Sequence, residues 1–321
     1  MGQTIHIVTR FDGTGGTEHH ASELYRALRF AGHSVKLWSD RPRHTEISFG
    51  ATAINSFAGQ YPRGGTLIMV GTHQEPGIWL NYAQPRRLIV ICNLFSIAHT
   101  FGFLAFLDRP SLPDAEYVFV SSLLRDSLAL PGIICPPLIN LADYQQQRPK
   151  RQRQYFIGRH SRDDISKHHP DDLSIWRMLA WQGYNLRLMG ANHLRNKLHE
   201  IPTLEILDVE QEQTGVFLAQ LDCFFYRTAP GIPEASGRVV IEALAAGIPV
   251  VVSENGGYID WIDNGINGFI IENQEEAFDR IIELGENRAL RSKMSQNARC
   301  SAVRRCSIEQ RQSYLDWITR D

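Results

Sequence analysis

The chain has 321 residues, of which 43% are hydrophobic and 21% are charged, and its formal net charge is −2 at pH 7. This length favours two domains of about 150 residues each over a single core. The near-neutral charge excludes a polycationic nucleic-acid-binding protein and gives no strong electrostatic attraction to an anionic membrane. We therefore expect a globular protein of two domains that has no nucleic-acid partner.

Cysteine usage and hydropathy indicate the compartment. The 5 cysteines form no C-x-x-C pair, which predicts a reducing compartment with neither disulfides nor structural zinc. The N-terminus has no charged segment followed by an apolar run, and the longest apolar run, residues 94–107, is too short to span a bilayer. These features predict a cytoplasmic location with at most peripheral contact with the inner face of the membrane.

In the first half of the chain, short apolar runs rich in β-formers alternate with helical or loop segments. A helix is predicted at 21–32, after the first run. The predicted strands are residues 5–9, 34–39, 66–71, 87–92 and 117–122. This alternation predicts βαβ units and a parallel sheet.

A polar segment at 140–154, rich in Gln and basic residues, predicts a linker, after which the alternation restarts. The predicted strands of the second half are residues 155–158, 185–190, 204–208, 222–227, 250–253 and 268–272, with helices at 171–183, 213–221 and 307–321. The sequence therefore predicts two α/β domains, 1–147 and 148–306. The C-terminal helix, 307–321, is expected to pack back on the first domain.

The first glycine-rich motif is DGTGGTE, which follows the first predicted strand and opens a helix. Main-chain amides at such a junction can bind an anion. Gly13 and Gly15 fit a dinucleotide fingerprint, but Glu18 stands where its third glycine belongs, which weakens a dehydrogenase interpretation. A flexible turn that needs a positive φ explains the motif equally well.

The second motif, FIGRHSRDDISKHHP, begins at the first predicted strand of the second half. Gly158 predicts a turn at the strand's carboxyl end, which places Arg159 and Lys167 in the loop where doubly wound sheets bind ligands. Two cations there suit a diphosphate, although a solvated basic loop is an equally good explanation. A metal site at His168 and His169 is disfavoured, because adjacent residues rarely coordinate one ion from a single side.

The third motif is PEASGRVVIEALAAGIPVVVS, residues 233–253. It predicts a loop that carries Glu234, an N-cap at Ser236, and a helix that carries Glu242 in its second turn. The first amides of that helix, Gly237 to Val239, form a candidate anion site. Carboxylates accept hydrogen bonds from vicinal hydroxyls, so the two glutamates suit a sugar. For each of them, an exposed surface position or a helix-terminus charge is the competing interpretation.

Together with the four residues that follow it, Glu254 to Gly257, the third motif resembles the E-x7-E segment of the GT4-type retaining glycosyltransferases. The glycine loop and the Gly-Arg…Lys loop match in order, and the similarity is strongest over residues 155–272. The resemblance implies the α/β GT-B fold, in which two Rossmann-like doubly wound domains face each other across a cleft. It also implies metal-independent transfer of a hexose-type sugar from a UDP- or GDP-sugar to an acceptor hydroxyl, with retention of configuration and no cofactor.

The resemblance implies roles for individual residues as well. Arg159 and Lys167 neutralise the donor diphosphate, Glu242 accepts hydrogen bonds from the ribose, and Glu234 faces the transferred sugar. The remaining implied donor contacts are Gly15, Gly16, Val209, Ser236, Gly237, Arg238 and Val239, with the base near residues 188–193. Asn93 stands where many relatives carry a histidine near the reacting sugar, so His99 or His73 is expected to replace it.

The expected acceptor is a saccharide or a lipid-linked molecule in polysaccharide, lipopolysaccharide or glycoconjugate biosynthesis. The apolar and aromatic segment at residues 93–110 suits an acceptor surface, but we favour a buried core there. A nucleotide-sugar epimerase of the same fold and a non-catalytic nucleotide-binding domain are the alternatives. The sequence has no D-x-D motif, which disfavours the metal-dependent fold of glycosyltransferases.

Overall fold

The computed structural model describes residues 3–11, 13, 15–40, 49–146 and 154–320. They form two compact units. The first unit runs to Leu138 and includes the C-terminal helix, and the second runs from Ile139 to Ser307.

The first unit contains a parallel sheet of seven strands. The strands are β1 (Ile5–Thr9), β2 (Val35–Ser39), β3 (Thr52–Ala53), β4 (Thr66–Val70), β5 (Arg87–Cys92), β6 (Ala115–Phe119) and β7 (Ile133–Ile134), and the helices are α1 (Gly16–Phe30), α2 (Ile97–Leu107) and α3 (Ser122–Leu128). The spatial order is β3-β2-β1-β4-β5-β6-β7. Every residue of β1 and β4 is buried, which explains their continuous apolar sequences.

The second unit contains a six-stranded parallel sheet in the order β10-β9-β8-β11-β12-β13. Its strands are β8 (Phe156–His160), β9 (Asn185–Met189), β10 (Leu204–Leu207), β11 (Cys223–Tyr226), β12 (Val250–Ser253) and β13 (Gly268–Ile271). Its helices are α4 (Asp172–Trp181), α5 (Thr214–Ala219), α6 (Arg238–Ala245), α7 (Gln274–Glu286) and α8 (Arg288–Arg305). The last helix of the chain, α9 (Ile308–Thr319), belongs to the first unit. The strand order reverses between β8 and β11, as in dinucleotide-binding folds.

The division between the units lies before Ile139, earlier than the predicted boundary at 147–148. Ile139, Leu141 and Tyr144 pack into the core of the second unit, so this part of the predicted linker is folded. Residues 147–153 of that linker lie outside the described residues.

The C-terminal helix α9 is held in the first unit by Arg87, which donates hydrogen bonds to the carbonyls of Trp317 at 2.9 Å and Ile318 at 2.7 Å.

Strand β8 extends further than predicted, to His160, so Gly158 and Arg159 lie within the strand and not in the following loop. The glycine has a different purpose from the predicted turn. A Cβ at Gly158 would lie 2.1 Å from the carbonyl oxygen of Arg187 on β9. Gly158 therefore permits close packing inside the sheet.

Helix α2 exposes an apolar face in the first unit. Ile97, Phe101 and Phe106 are 51%, 43% and 39% exposed, whereas Phe103 and Leu107 are buried. No charged residue occurs in 94–107. The favoured interpretation of this segment as buried core is therefore wrong for one face of the helix.

None of the helices among the described residues is long and apolar enough to cross a membrane.

Candidate active site

The candidate site lies at the carboxyl ends of β8 and β11, where the strand order of the second sheet reverses. Arg159 and His160 end β8, and Tyr226 ends β11. Open parallel sheets bind ligands in the crevice at such a switch point. The fold of this unit alone therefore places these side chains at a ligand-binding edge.

Glu234 is fixed by both its backbone and its side chain. Its N–H donates to the carbonyl of Asn255 at 3.1 Å, and its own carbonyl accepts from the N–H of Gly257 at 2.9 Å. Its Oε1 accepts hydrogen bonds from Nζ of Lys167 at 2.5 Å and from the hydroxyl of Tyr226 at 2.6 Å. The structure thus brings Glu234 and Lys167 together and pairs their charges.

Lys167 ends a short 3-10 helix that is capped at its start by Asp164, whose carboxylate accepts from the N–H of Ser166 at 2.9 Å. That backbone hydrogen bond is the main reason that the pKa of Asp164 is lowered. An ammonium group can donate three hydrogen bonds, and among the described residues only Glu234 receives one from Lys167. Lys167 therefore retains donor capacity for the oxygens of a ligand.

The guanidinium of Arg159 is 1% exposed. It donates to the carbonyl of Arg227 at 3.0 Å and to the carbonyl of Lys167, and it lies 4.3 Å from the ring centre of Tyr226. Its position in β8 thus differs from the predicted loop position facing a diphosphate. Its contacts instead fix the backbone that carries Lys167, and a direct contact with diphosphate stays a prediction.

Beside Arg159 lies a second buried charge pair. Asp172 Oδ1 accepts hydrogen bonds from Nε and Nη2 of Arg227 at 2.8 and 2.5 Å, and its Oδ2 is 4.0 Å from Nη1 of Arg159. Burial raises the pKa of Asp172 to about 6, although both guanidinium groups act in the opposite direction. Two buried cations thus share one carboxylate, and the excess positive charge favours an anion at this edge of the sheet.

Glu242 is surrounded by three polar side chains. Its Oε1 accepts from the hydroxyl of Tyr144 at 2.9 Å and from Nε of Arg238 at 2.8 Å, and its Oε2 lies 3.3 Å from Nε2 of His160. Burial opposes ionisation, but His160 and Arg238 outweigh it and lower the pKa of Glu242 to about 2. At neutral pH Glu242 is therefore an ionised carboxylate that acts only as a hydrogen-bond acceptor.

Gly237, and not the predicted Ser236, occupies the cap position before α6. Its φ and ψ of 63° and 53° are left-handed, and a Cβ there would lie 2.2 Å from Cδ1 of Tyr258. The side chain of Arg238 pairs with Glu242, and Val239 packs against the core. The main-chain amides of Gly237, Arg238 and Val239 therefore remain the candidates for contact with the donor, because the side chains of Arg238 and Val239 are used elsewhere.

Val209 and the segment predicted to hold the base lie together. A Cβ on Gly190 would lie 3.2 Å from Cγ2 of Val209 and 1.9 Å from the carbonyl oxygen of Ser161. Val209 itself is 40% exposed. Because Gly190 has no side chain, its main chain can lie close to Ser161 in the loop that follows β8. The partly exposed side chain of Val209 lies beside it.

In the first unit the glycine motif leads directly into α1. Gly15 is the N-cap and Gly16 is the first helical residue, so the helix starts earlier than predicted. Gly15 has an extended backbone with a φ of −88°, and Asp12 and Thr14 of the predicted turn lie outside the described residues. A Cβ on Gly15 would lie 2.9 Å from Oε2 of Glu18, so the absence of a side chain there allows a close approach.

Two of the candidates for the group near the reacting sugar, Asn93 and His73, lie close to Thr17 in the first unit. His99 is exposed on α2, with Nδ1 2.8 Å from Oγ of Ser96. Asn93 follows β5 and donates to Oγ1 of Thr17 at 3.2 Å. The His73 ring lies near the Gly71 backbone. Which of them faces a substrate stays a prediction.

Sequence reasoning missed Tyr226, Asp172, Arg227, His160 and Tyr144. Tyr226 and Arg227 end a predicted strand, and His160 follows Arg159. Their positions at carboxyl ends of strands could therefore have suggested a place in the site, although only weakly. Tyr144 lies 98 positions from Glu242 in the chain, and no local pattern could have paired them. In the part of the chain that the structure describes, no group of three or more His, Cys, Asp or Glu residues is arranged to hold a metal ion.

Part of the second unit matches the sequence model of a known protein family. Residues 196–300 match the family model of glycosyl transferases group 1. This part of the chain carries the group 1 glycosyltransferase pattern. The match includes α6 and the strand that follows it, with Glu234 and Glu242.

Two curated proteins are similar over part of the chain. Spore coat protein SA of Bacillus subtilis is 28% identical over 149 residues, which are 43% of this chain and 38% of that protein. Sucrose synthase of Melioribacter roseus is 33% identical over 97 residues, which are 30% of this chain and 12% of that protein. The chain thus spans well under half the length of the curated relatives that it matches.

The whole chain is similar to a solved structure, Anabaena HepE in complex with UDP-glucose. The TM-score is 0.77 at 14% identity, and the alignment covers 98% of each chain. At this identity the likeness shows the fold alone. The predicted GT-B fold, with two Rossmann-like α/β domains, is confirmed.

Proposed function

We propose that the chain is a retaining glycosyltransferase that moves a hexose-type sugar from a UDP- or GDP-sugar to an acceptor hydroxyl. The group 1 pattern at residues 196–300 supports sugar transfer. The observation that carries the proposal is the placement of Lys167, Glu234 and Glu242 around the carboxyl edge of the second sheet, beside excess buried positive charge. An edge of this kind suits an anionic ligand that also carries hydroxyl groups.

The donor diphosphate is assigned to Lys167 and to the first amides of α6. Lys167 has two further donor positions, and a helix N-terminus favours negative charge. Arg159 supports this role indirectly through its hydrogen bond to the Lys167 carbonyl. Glu234 already holds Lys167 and Tyr226, so the transferred sugar is expected to meet a carboxylate of fixed orientation.

The ribose is assigned to Glu242, whose two oxygens differ. Oε1 accepts from Tyr144 and Arg238, whereas Oε2 lies opposite His160. Because an ionised carboxylate has about four lone-pair sites, Oε2 retains capacity for hydroxyl groups. The base is expected beside Val209, which is open to solvent.

In the proposed reaction the acceptor oxygen forms a bond to the anomeric carbon on the same face from which the diphosphate leaves. The bond between the anomeric carbon and the phosphate oxygen breaks, and the acceptor proton passes to that oxygen. Stabilisation of the leaving diphosphate by Lys167 and the helix amides supplies most of the rate enhancement. Since these groups supply positive charge, the mechanism needs no metal ion.

The acceptor is proposed to be a lipid-linked saccharide of a polysaccharide, lipopolysaccharide or glycoconjugate pathway. The support is the apolar face of α2, which follows the carboxyl end of β5 and exposes Ile97, Phe101 and Phe106. The carboxyl edge of a parallel sheet is its ligand-binding edge. An apolar chain attached to the saccharide would cover this face.

The proposal is tested by supplying UDP- and GDP-hexoses with saccharide and lipid-linked acceptors and analysing the products by NMR. The expected product keeps the anomeric configuration of the donor and still forms after chelation of divalent metals. An inverted product would contradict retention, and loss of turnover with a chelator would contradict metal independence. Epimerised donor without transfer would support the epimerase alternative, which the comparisons do not favour.

A further inference from the structure

His160 is the last residue of β8 and the one whose ring reaches the Glu242 carboxylate. The edge of its ring packs against Phe217, with centroids 6.1 Å apart at 72°, and against Phe224, at 5.7 Å and 68°. Two such contacts restrict the ring to one orientation. His160 is therefore held in place by apolar packing, and its polar edge is turned to Glu242.

The pairing between His160 and Glu242 is looser than the other contacts of this carboxylate. Nε2 and Oε2 are 3.3 Å apart, and in the described part of the chain Nε2 has no hydrogen-bond partner. By contrast, Oε1 receives hydrogen bonds of 2.8 and 2.9 Å. Oε1 thus anchors the carboxylate, while the facing pair of Oε2 and Nε2 keeps unused hydrogen-bonding capacity.

The Glu242 carboxylate favours the ring tautomer with its proton on Nε2, which places an N–H donor beside the acceptor Oε2. A hydroxyl group both donates and accepts, and it complements this arrangement. The side chains of His160 and Glu242 each keep 9% of their surface exposed. Nε2 itself has almost no exposed surface, so a hydroxyl reaches it only when this edge of the site opens slightly on binding.

We propose that His160 binds a ribose hydroxyl of the donor together with Glu242 and makes the site selective for ribonucleotides over deoxyribonucleotides. In the complex, the hydroxyl donates to Oε2 and accepts from Nε2–H. The inference rests on the proposed function and adds a specificity residue to it. A buried site built for a hydroxyl rejects the analogue that lacks it, because its polar groups are then left unpaired.

A purely structural role for His160 makes a different prediction. If the ring only holds Glu242 in place, its loss weakens binding of nucleotide and deoxynucleotide by the same factor. If it binds the hydroxyl, its loss affects the nucleotide more and reduces the ratio of the two affinities. The ratio therefore separates the two roles.

The experiment is isothermal titration of the wild type, His160→Phe and His160→Gln. The ligands are the nucleoside diphosphate that the wild type binds best and its 2′-deoxy and 3′-deoxy forms. We expect the wild type to prefer the ribose form over at least one deoxy form by about tenfold or more. His160→Phe should lose most of that preference, and His160→Gln, which keeps an amide donor, should retain part of it.

His199→Gln is the matched control, because it changes an exposed histidine of the same unit whose ring lies against Asn196 and Glu200. Its preference for the ribose form should stay within about twofold of the wild-type value. An unchanged preference in a folded His160→Phe variant would overturn the inference. If that variant does not fold, equal affinity of the wild type for all three forms, or an unchanged preference in a His160→Ala variant, would overturn it. A wild type that binds no nucleoside diphosphate at all would instead refute the proposed function.

Discussion

Nζ of Lys167 lies 2.5 Å from Oε1 of Glu234. The resemblance assigned these side chains to different parts of one donor, the diphosphate and the sugar, yet they neutralise each other in the structure. Both are mostly buried, with 18% and 12% of the side chain exposed, so the pair is more than a solvated surface contact. In the proposed complex the diphosphate would share Lys167 with Glu234, and the sugar end of the donor would lie next to the carboxylate.

We predict that Tyr226→Phe lowers kcat/KM by about tenfold, the value of one hydrogen bond to a charged group. The hydroxyl of Tyr226 donates to the same Oε1 at 2.6 Å. Without it, Glu234 depends on Lys167 alone, and the ammonium is less available to the phosphate. Steady-state kinetics with the preferred donor measures the effect.

The matched control is Tyr258→Phe, which also removes a buried hydroxyl, one that lies 3.2 Å from Oγ of Ser253. Its kcat/KM should remain within about threefold of the wild-type value. Equal losses in the two variants would show that Glu234 gains nothing specific from Tyr226.

Acid stability should depend on Glu242. Its pKa falls from 4.5 to about 2 in the folded chain, so the ionised group contributes on the order of 3 kcal/mol to the free energy of unfolding at neutral pH. The contribution is fully present above pH 4.5 and is lost as the pH falls from there to about 2. Glu242→Gln removes the charge and keeps the shape.

Urea unfolding from pH 7 to pH 3 checks this prediction. The wild type should be more stable than Glu242→Gln at pH 7, and the difference should shrink as the pH drops below 4.5. A difference that stays constant over the whole range would mean that the charge of Glu242 is not what stabilises the fold.

Gly237→Ala should destabilise the chain more than Gly231→Ala. Both glycines have left-handed backbones, with φ of 63° and 73°, so both substitutions incur about 1–2 kcal/mol of strain. Only at Gly237 would the new methyl collide with Tyr258, at 2.2 Å, whereas no atom lies within 4 Å at Gly231. The collision should add about 1–3 kcal/mol. Thermal unfolding of both variants measures the difference, and equal melting temperatures would contradict the close packing of Gly237.

The apolar face of α2 should affect acceptor binding only. Phe101→Ser removes an aromatic ring that is 43% exposed, so the KM for a lipid-linked acceptor should rise roughly tenfold while the KM for its soluble saccharide stays unchanged. Phe30→Ser, at a residue 96% exposed on α1, is the control for a general loss of surface hydrophobicity. Matching effects of the two substitutions, or an equal rise for both acceptors, would argue against an acceptor surface on α2.

The strands could be predicted from sequence because buried parallel strands have continuous apolar sequences. Residues 5–9, 87–92 and 250–253 were predicted with the bounds of β1, β5 and β12. Most strand and helix ends shifted by a few residues, since local patterns do not show where pairing stops. For example, β8 runs on through Arg159 because its neighbouring strand continues to pair with it as far as His160.

The contacts of the candidate site were less predictable. The local signals placed Glu234 before a helix and Glu242 within it, as observed. They could not show that Glu242 contacts Tyr144, or that Arg159 is buried against Tyr226, because these pairs are far apart in the chain. The exposed face of α2 was also missed, since an apolar run reads as core whether or not a partner covers it.

The most direct test of the account is binding of UDP, GDP, ADP and TDP, measured by thermal shift and then by titration. We predict that UDP or GDP raises the melting temperature of the wild type, and that Glu242→Ala and Lys167→Ala each weaken its binding by tenfold or more. Binding of none of the four, or equally tight binding by folded variants, would contradict the assignment of this edge of the second sheet to a nucleotide-sugar donor.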